Sequence, residues 1–391
     1  MVCRNRSFAQ HKSDYLFYEI AQKKEHLQKQ EPRAKLINLG IGDTTEPLCL
    51  PVTAGLVKQA EALGTRGGYR GYPSSFGDKK LRDTIAQKLY QGNVCADDIF
   101  ISDGAKCDVG RLQHLFGPDT TIAIQDPSYP VYEHTSYLSG KAGRVDRLQM
   151  DPENNFFPKL TAADVIYICS PNNPTGVAYN REQLKQLVDF CKKNGSILIF
   201  DAAYFSYIRG DDFPRSIYEI EGAQEVAIEI NSFSKVAGFT GIRVGWSVVP
   251  QTLCFDDGSS VQADWKKIVT TFFNGVSHLS QAAAMAALSD EGLQCAKEQC
   301  DYYLNNCRLL RDFFLERKFR VFGGVHAPYL WIDLDGKKSW EIFDYLLQKA
   351  HIITTPGVGF GAAGEGYLRI SGFCSRLDVT SAIQRMSATS L

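Results

Sequence analysis

The sequence predicts an α/β fold: a mostly parallel sheet covered by helices on both faces, with a second, smaller layer formed late in the chain. Three observations predict it. From about residue 78 onward, short β-rich runs alternate with helical periods, the signature of parallel strands joined by helical crossovers. Several runs end in polar clusters, which open α/β sheets use to bind ligands at the carboxyl ends of their strands. After about residue 280 the alternation gives way to long helical stretches with two strand signals, APYLWIDL and GYLRIS.

The strands follow in order. IFIS (Ile99–Ser102), TIAIQ (Thr121–Gln125), DVIYIC (Asp164–Cys169), SILIFD (Ser196–Asp201), VAIEI (Val226–Ile230) and RVGWSVV (Arg243–Val249) are β-branched or aromatic runs closed by turn residues. Helices lie between several of them. Leu81, Ile85 and Leu89 share one helical face, and Arg181–Lys193 carries Leu184, Leu187 and Val188 on another before Asn194-Gly195 stops it. Ala105–Phe116 reads as a helix ended by Gly117-Pro118, and Ser280 to about Lys318 as one long helical stretch. The first thirty-odd residues suit an arm and a helix leading into INLGIGD. The expected division is an arm and part of a small domain over 1–45, a large domain over 46–285 and the rest of the small domain over 286–391. No repeat, low-complexity tract or flexible linker interrupts it.

Length and composition fit this picture: at ~150 residues per domain, used as a prior, 391 residues allow two domains. Hydrophobic residues at 44% and charged residues at 22% exclude disordered, collagen-like and disulfide-framework classes. With 43 basic against 44 acidic residues, no global field attracts nucleic acid or an anionic bilayer, so any anion selectivity is local. The 11 cysteines are scattered, and Cys169, Cys191 and Cys254 lie in apolar stretches. They read as reduced and buried, which places the protein in the cytoplasm. The start, MVCRNRSFAQHKSDYLF, lacks an apolar export core, and the longest apolar run, Ala282–Leu288, is too short to span a bilayer. Seven histidines without paired spacing predict no metal site. Gly359-Phe-Gly361-Ala-Ala-Gly364 satisfies the letter of the dinucleotide fingerprint, but GYLRIS beyond it reads as a strand where a helix is required.

The strand ends carry the chemistry. After IFIS, Asp103-Gly104-Ala105-Lys106 opens a helix whose free N–H groups and dipole favour an anion, and Lys106 there makes a nearby anion more plausible. In Asn231-Ser232-Phe233-Ser234-Lys235, two hydroxyls can converge with Arg243 on a phosphate dianion. Lys235 then sits where an amine of lowered pKa could capture an aldehyde. Asp201, ending a buried strand, needs a cation or donors, and a protonated pyridine nitrogen would serve. SPNNPTG (Ser170–Gly176) supplies amides at Asn172 and Asn173 on a rigid turn, and DPSYP (Asp126–Pro130) places Tyr129 where it could stack on a planar ring. Singly, each has an ordinary alternative: a capped helix, a surface turn, a helix-capping Asp, a core Tyr. The set at one sheet edge decides against those alternatives.

SDGAK, DPSYP, SPNNPTG, DAAY, SFSKVAGFTGIRVGW and LRIS, in this order, resemble the fold type I pyridoxal-phosphate aminotransferases over nearly the whole chain. SDGAKCD, KNGSI, Asn274-Gly275, TTPG-x-GFG and GEGYLRIS narrow the resemblance to the LL-diaminopimelate aminotransferase family. It implies a seven-stranded large-domain sheet, pyridoxal 5'-phosphate as cofactor and a homodimer. It also implies transfer of an amino group between L-glutamate with tetrahydrodipicolinate and 2-oxoglutarate with LL-2,6-diaminopimelate, for lysine or cell-wall precursor synthesis. By resemblance Lys235 holds the cofactor and shuttles the proton, Asp201 pairs with the pyridinium nitrogen, Asn173 and Tyr204 face the ring hydroxyl, and Tyr129 stacks. The phosphate cup would be Gly104, Ala105, Lys106, Ser232, Ser234 and Arg243, with Tyr72 from the other subunit. Arg369 and the Gly42 backbone would take the substrate carboxylate, with Tyr15, Lys106, Tyr129, Asn173 and Asn274 lining the rest of the substrate site. Other pyridoxal-phosphate reactions and a non-catalytic regulator on the same fold are the rival readings, and Lys235 argues against the second.

One departure stands out. Where the family pattern reads Gly-Tyr-Gly-x-Glu-Gln-Gly, this chain has Gly71-Tyr72-Pro73-Ser74-Ser75-Phe76-Gly77. With no carboxylate at Ser75 to accept a charge-assisted hydrogen bond, on the order of 1.5–3 kcal/mol of discrimination is missing, so a looser choice of amino donor is expected.

Overall fold

The computed structural model describes residues 2–4, 7–10 and 16–389. The helix Leu16–Gln30 is followed by a short strand, β1 (Ile37–Asn38), that lies outside the central sheet. That sheet contains β2 (Ile99–Ser102), β3 (Ile122–Asp126), β4 (Val145–Gln149), β5 (Val165–Cys169), β6 (Ile197–Asp201), β7 (Ala227–Ser232) and β8 (Gly245–Val248). Their spatial order is β2-β8-β7-β6-β5-β3-β4. All neighbours are parallel except β8, which runs antiparallel to both β2 and β7. The carboxyl ends of β2, β3, β5, β6 and β7 therefore share one edge, and the amino end of β8 meets them there.

Period-two alternation buries the sheet on both faces. On β6, Leu198 and Phe200 enter one apolar cluster, while Ile197 and Ile199 enter the cluster on the opposite face. β5 divides in the same way, with Ile166 and Ile168 on one side and Val165, Tyr167 and Cys169 on the other. The helix Arg181–Asn194 covers one face. Asn180 and Gln183 form a reciprocal capping box, Leu184, Leu187, Val188 and Cys191 are buried, and Gly195 closes the helix at φ 66°. Each buried Leu or Val contributes about 1.5–3 kcal/mol relative to exposure.

The second layer is a four-stranded antiparallel sheet in the order β12-β13-β10-β9. Its strands are β9 (Val321–Gly323), β10 (Tyr329–Asp333), β12 (Thr355–Pro356) and β13 (Tyr367–Ser371), with β11 (Ile352–Ile353) pairing in parallel with β1. Ile37 and Leu39 share an apolar cluster with Leu330, Ile332, Leu368 and Ile370, so an early segment packs with late strands.

Four expectations need correction. The strand β4 carried no sequence signal, because at the sheet edge only Leu148 of VDRLQ is fully buried, Val145 is half-buried, and Asp146, Arg147 and Gln149 are polar. Ser280–Lys318 is two helices, His278–Ala287 and Asp290–Glu316, broken where the Ser289 hydroxyl caps the second by accepting from Gly292 N–H. The α-helix beginning at Ala105 ends at Leu112, and Gln113–Leu115 tightens to a 3-10 turn ahead of Gly117-Pro118. Cys254 is exposed, because local alternation turns Leu253 inward and Cys254 out. Cys3 and Cys95 are exposed too, whereas Cys169 and Cys191 are buried.

Candidate active site

A cavity of about 480 Å³ opens at the shared strand edge. Gly42, Ala105, Lys106, Tyr129, Asn173, Asp201, Tyr204, Ser232, Ser234, Lys235, Arg243 and Arg369 all line it. Residues from across the chain thus meet in one place.

One end is built for a dianion. β8 pairs Gly245 with Ser102 on one side and Ser232 on the other, which draws the ends of β2 and β7 together. Gly104, at φ 128°, turns the chain into the helix Ala105–Leu112, whose first N–H groups lack intrahelical acceptors. Ser232 caps the short helix Phe233–Val236 by accepting from Ser234 N–H at 3.0 Å, and its hydroxyl donates to Ser234 Oγ at 2.9 Å. Arg243 Nη1 donates to Ser234 Oγ at 3.3 Å. A Cβ on Gly104 would stand 2.2 Å from Arg243 Nη2, so the missing side chain is what leaves the guanidinium its place. Loss of water around its amine and the Arg243 charge push the Lys106 pKa below the usual lysine value.

The Lys235 amine lies deeper and donates to the Gly42 carbonyl, with the Phe373 ring 5.2 Å away. Burial lowers its pKa to about 8; Arg369, Arg243 and Lys106 push the same way, and Asp43 opposes them. A substantial fraction of this amine is therefore neutral, and nucleophilic, near pH 8. Asp201 ends β6 with one oxygen accepting from Tyr132 Oη at 2.6 Å and the other from Ala203 N–H at 3.0 Å. Burial pushes its carboxyl pKa up, and these two donors pull it back.

Opposite stands Arg369, 1% exposed, donating from Nη1 to Asn173 Oδ1 at 2.6 Å and from Nη2 to the Gly40 carbonyl at 2.5 Å. Its guanidinium lies 4.5 Å from the Tyr329 ring and 4.8 Å from the Phe360 ring. Tyr204 and Tyr329 join hydroxyls at 2.8 Å. Two predicted residues lie elsewhere. Tyr72 is 87% exposed and Asn274 is exposed, neither lining the cavity of its own chain. They sit on adjoining stretches, since Gly275 packs directly on Ser74 and His278 reaches the Gly71 carbonyl at 3.1 Å. Tyr15 lies outside the described residues.

Sequence reasoning missed Tyr132, Tyr329, Cys169 and Thr240, which also line the cavity. Tyr132 stands in the first turn of the helix Val131–Leu138, directly after DPSYP, but no motif marked it. Tyr329, within APYLW, looked like an ordinary strand residue.

A family model described as aminotransferase class I and II matches residues 34–386. The chain belongs to this family. It is 50% identical to an LL-diaminopimelate aminotransferase of Protochlamydia amoebophila, covering 99% of this chain and 97% of the relative. It is 47% identical to a chloroplastic LL-diaminopimelate aminotransferase of Arabidopsis thaliana, covering 98% and 86%. The solved structure of L,L-diaminopimelate aminotransferase from Chlamydomonas reinhardtii superposes with a TM-score of 0.95 at 47% identity, covering 99% and 98%. Aminotransferases of this family depend on pyridoxal 5'-phosphate. The donor set fits that group: hydroxyls, N–H groups and a guanidinium for a phosphate, a carboxylate for a pyridine nitrogen, and a partly neutral amine between them. Among the described residues no cluster of His, Cys, Asp and Glu could hold a metal ion, and no helix is long and apolar enough to cross a membrane.

Proposed function

We propose that this aminotransferase interconverts L-glutamate plus tetrahydrodipicolinate with 2-oxoglutarate plus LL-2,6-diaminopimelate, and so supplies a precursor of lysine or peptidoglycan. The observation that carries the reading is the convergence of the Lys235 amine, the Asp201 carboxylate and the Arg369 guanidinium on one cavity. The names of the relatives at 47–50% identity support the choice of substrate.

When bound, pyridoxal phosphate supplies an aldehyde for the amine and a ring that accepts electrons from the carbon losing its proton. Ser232, Ser234, Arg243 and the Ala105 and Lys106 amides would grip the phosphate, and Tyr129 would cover one ring face. Asn173 and Tyr204 would face the ring hydroxyl. Lys235 would hold the cofactor through its amine, and the same amine when free would be the base for the proton on the substrate Cα, a task its lowered pKa suits. Arg369 would clamp the substrate α-carboxylate bidentately. Its present partners, Asn173 Oδ1 and the Gly40 carbonyl, hold the fork in position without neutralising it.

The reading includes a homodimer in which Tyr72 and Asn274 complete the partner's site. Supporting it, Tyr72 and Asn274 are exposed on adjoining stretches and line nothing in their own chain's cavity, and Leu50, Val57, Tyr69 and Phe272 are exposed as well. A cytoplasmic location is part of the same proposal, supported by eleven free cysteines. With Ser75 in place of an acid, we expect amino donors beyond LL-diaminopimelate to be accepted. The test is an absorption spectrum of the purified protein with and without LL-diaminopimelate, repeated on Lys235→Ala, followed by rates on a panel of amino acids. A protein that never shows the absorbance of covalently held cofactor would overturn the enzymatic reading, and strict use of LL-diaminopimelate would overturn the broad donor range.

A further inference from the structure

Asp201 depends on a neighbour that no motif singled out. Its carboxylate is buried at the end of β6 and meets two donors, Ala203 N–H at 3.0 Å and Tyr132 Oη at 2.6 Å. The second distance is in the range of charge-assisted O–H···O⁻ bonds. Tyr132 has little freedom to leave it. The ring is 1% exposed, stacks on Tyr167 at 5.3 Å with an interplanar angle of 22°, and meets the edge of Tyr129 at 5.8 Å. Tyr167 is held in turn by Gln113 Nε2, which donates to its hydroxyl at 3.0 Å. Three elements therefore fix where the Tyr132 hydroxyl points: its own helix Val131–Leu138, β5 through Tyr167, and the 3-10 turn Gln113–Leu115.

We propose that Tyr132 is a positioning residue: its hydroxyl holds Asp201 ionised and turned toward the cavity, and so keeps the cofactor ring nitrogen protonated. The inference rests on the reading of Asp201 as the partner of that nitrogen. A phenol has one proton to give, and giving it to Asp201 is most favourable while the carboxylate is charged, so the bond favours the ionised form. Without that donor, a carboxyl in this apolar setting takes up a proton itself, because burial disfavours its charged form. A protonated Asp201 could then donate to the ring nitrogen but could no longer stabilise its positive charge.

The other groups facing Asp201 do not replace Tyr132. On β5 the register partner is Cys169, whose thiol burial keeps in its neutral form; on β7 it is Ile230, which is apolar. The cations Lys106, Lys235, Arg243 and Arg369 line the same cavity, yet neither hydrogen bond to Asp201 comes from any of them.

The test is the ring-nitrogen 15N chemical shift of labelled pyridoxal phosphate bound to the full-length protein, followed between about pH 6 and 9, for the unsubstituted protein, Tyr132→Phe and Asp201→Asn. Phe keeps the ring stack and the volume, so only the donor is removed. In Tyr132→Phe the nitrogen should lose its proton at least about one pH unit earlier, a tenfold change in the protonation ratio. A midpoint within about 0.3 of a unit of the unsubstituted protein, while Asp201→Asn shifts strongly, overturns the role of Tyr132. If Asp201→Asn also leaves the shift unmoved, the reading of Asp201 itself fails and the inference with it. Should Tyr132→Phe not fold, the 13C shift of the Asp201 carboxyl in the unsubstituted holoprotein decides: ionised at pH 6 supports the proposal, protonated there refutes it.

Discussion

Replacing Gly104 by alanine tests the phosphate end of the cavity with one methyl group. A Cβ there would lie 2.2 Å from Arg243 Nη2 and 3.1 Å from Cζ, well inside van der Waals distance. Two costs follow, and they fall on different measurements. The backbone at φ 128° is a region that L side chains rarely adopt, so the folded protein should lose about 1–3 kcal/mol of stability. The collision itself is relieved cheaply, because Nη2 is the tip of a long side chain and can swing away. That escape removes the guanidinium from Ser234 and from the phosphate site. Removing one charge-assisted bond costs about 1.5–3 kcal/mol, which corresponds to roughly a 10- to 150-fold rise in the dissociation constant for pyridoxal phosphate. Fluorescence titration of apoprotein with the cofactor reads the second cost, and thermal melting of the apoprotein reads the first. Affinity within about threefold of the unsubstituted protein would show that Arg243 does not hold the phosphate.

Further outcomes follow from the same geometry. Arg369→Lys keeps a positive charge but loses the planar fork that reaches Asn173 and Gly40, so kcat/KM for LL-diaminopimelate should fall by roughly 10- to 150-fold; a change under about threefold in steady-state assays would remove Arg369 from carboxylate binding. Because the Lys235 amine titrates at about 8 and only its neutral form attacks an aldehyde, cofactor capture by apoprotein should slow about tenfold per pH unit below that value and level off above it. A stopped-flow profile still rising past about pH 10 would contradict the lowered pKa. Chains carrying Tyr72→Ala and Lys235→Ala should each be nearly inactive, yet after mixing and subunit exchange they should recover about a quarter of full activity, since half the dimers then hold one intact site. No recovery in an exchange-competent mixture would mean that Tyr72 acts within its own chain or not at all.

Much of the architecture could be read along the chain because its signals are local. Runs of β-branched or aromatic residues marked six of the seven central strands, and Asn194-Gly195 marked the end of the helix read from Arg181. The cavity chemistry was legible for the same reason: Ser232, Ser234 and Lys235 are neighbours in sequence, and each cluster closes a strand. The edge strand β4 stayed hidden because an edge needs few apolar residues. The break at Ser289 stayed hidden because a serine inside a helical period looks the same whether it caps a new helix or faces solvent.

By itself, then, the order of residues determined the strand and helix types, the donor chemistry at each strand end and the family they resemble, all of which depend on interactions within a few positions. Only the tertiary structure decided which groups meet. Tyr132 reaches Asp201 across 69 positions, Tyr204 meets Tyr329 across 125, Lys235 finds Gly42 across 193 and Arg369 holds Gly40 across 329. Such pairings are set by parallel register and by how the two layers pack, and residues far apart in the chain leave no local period that reveals them.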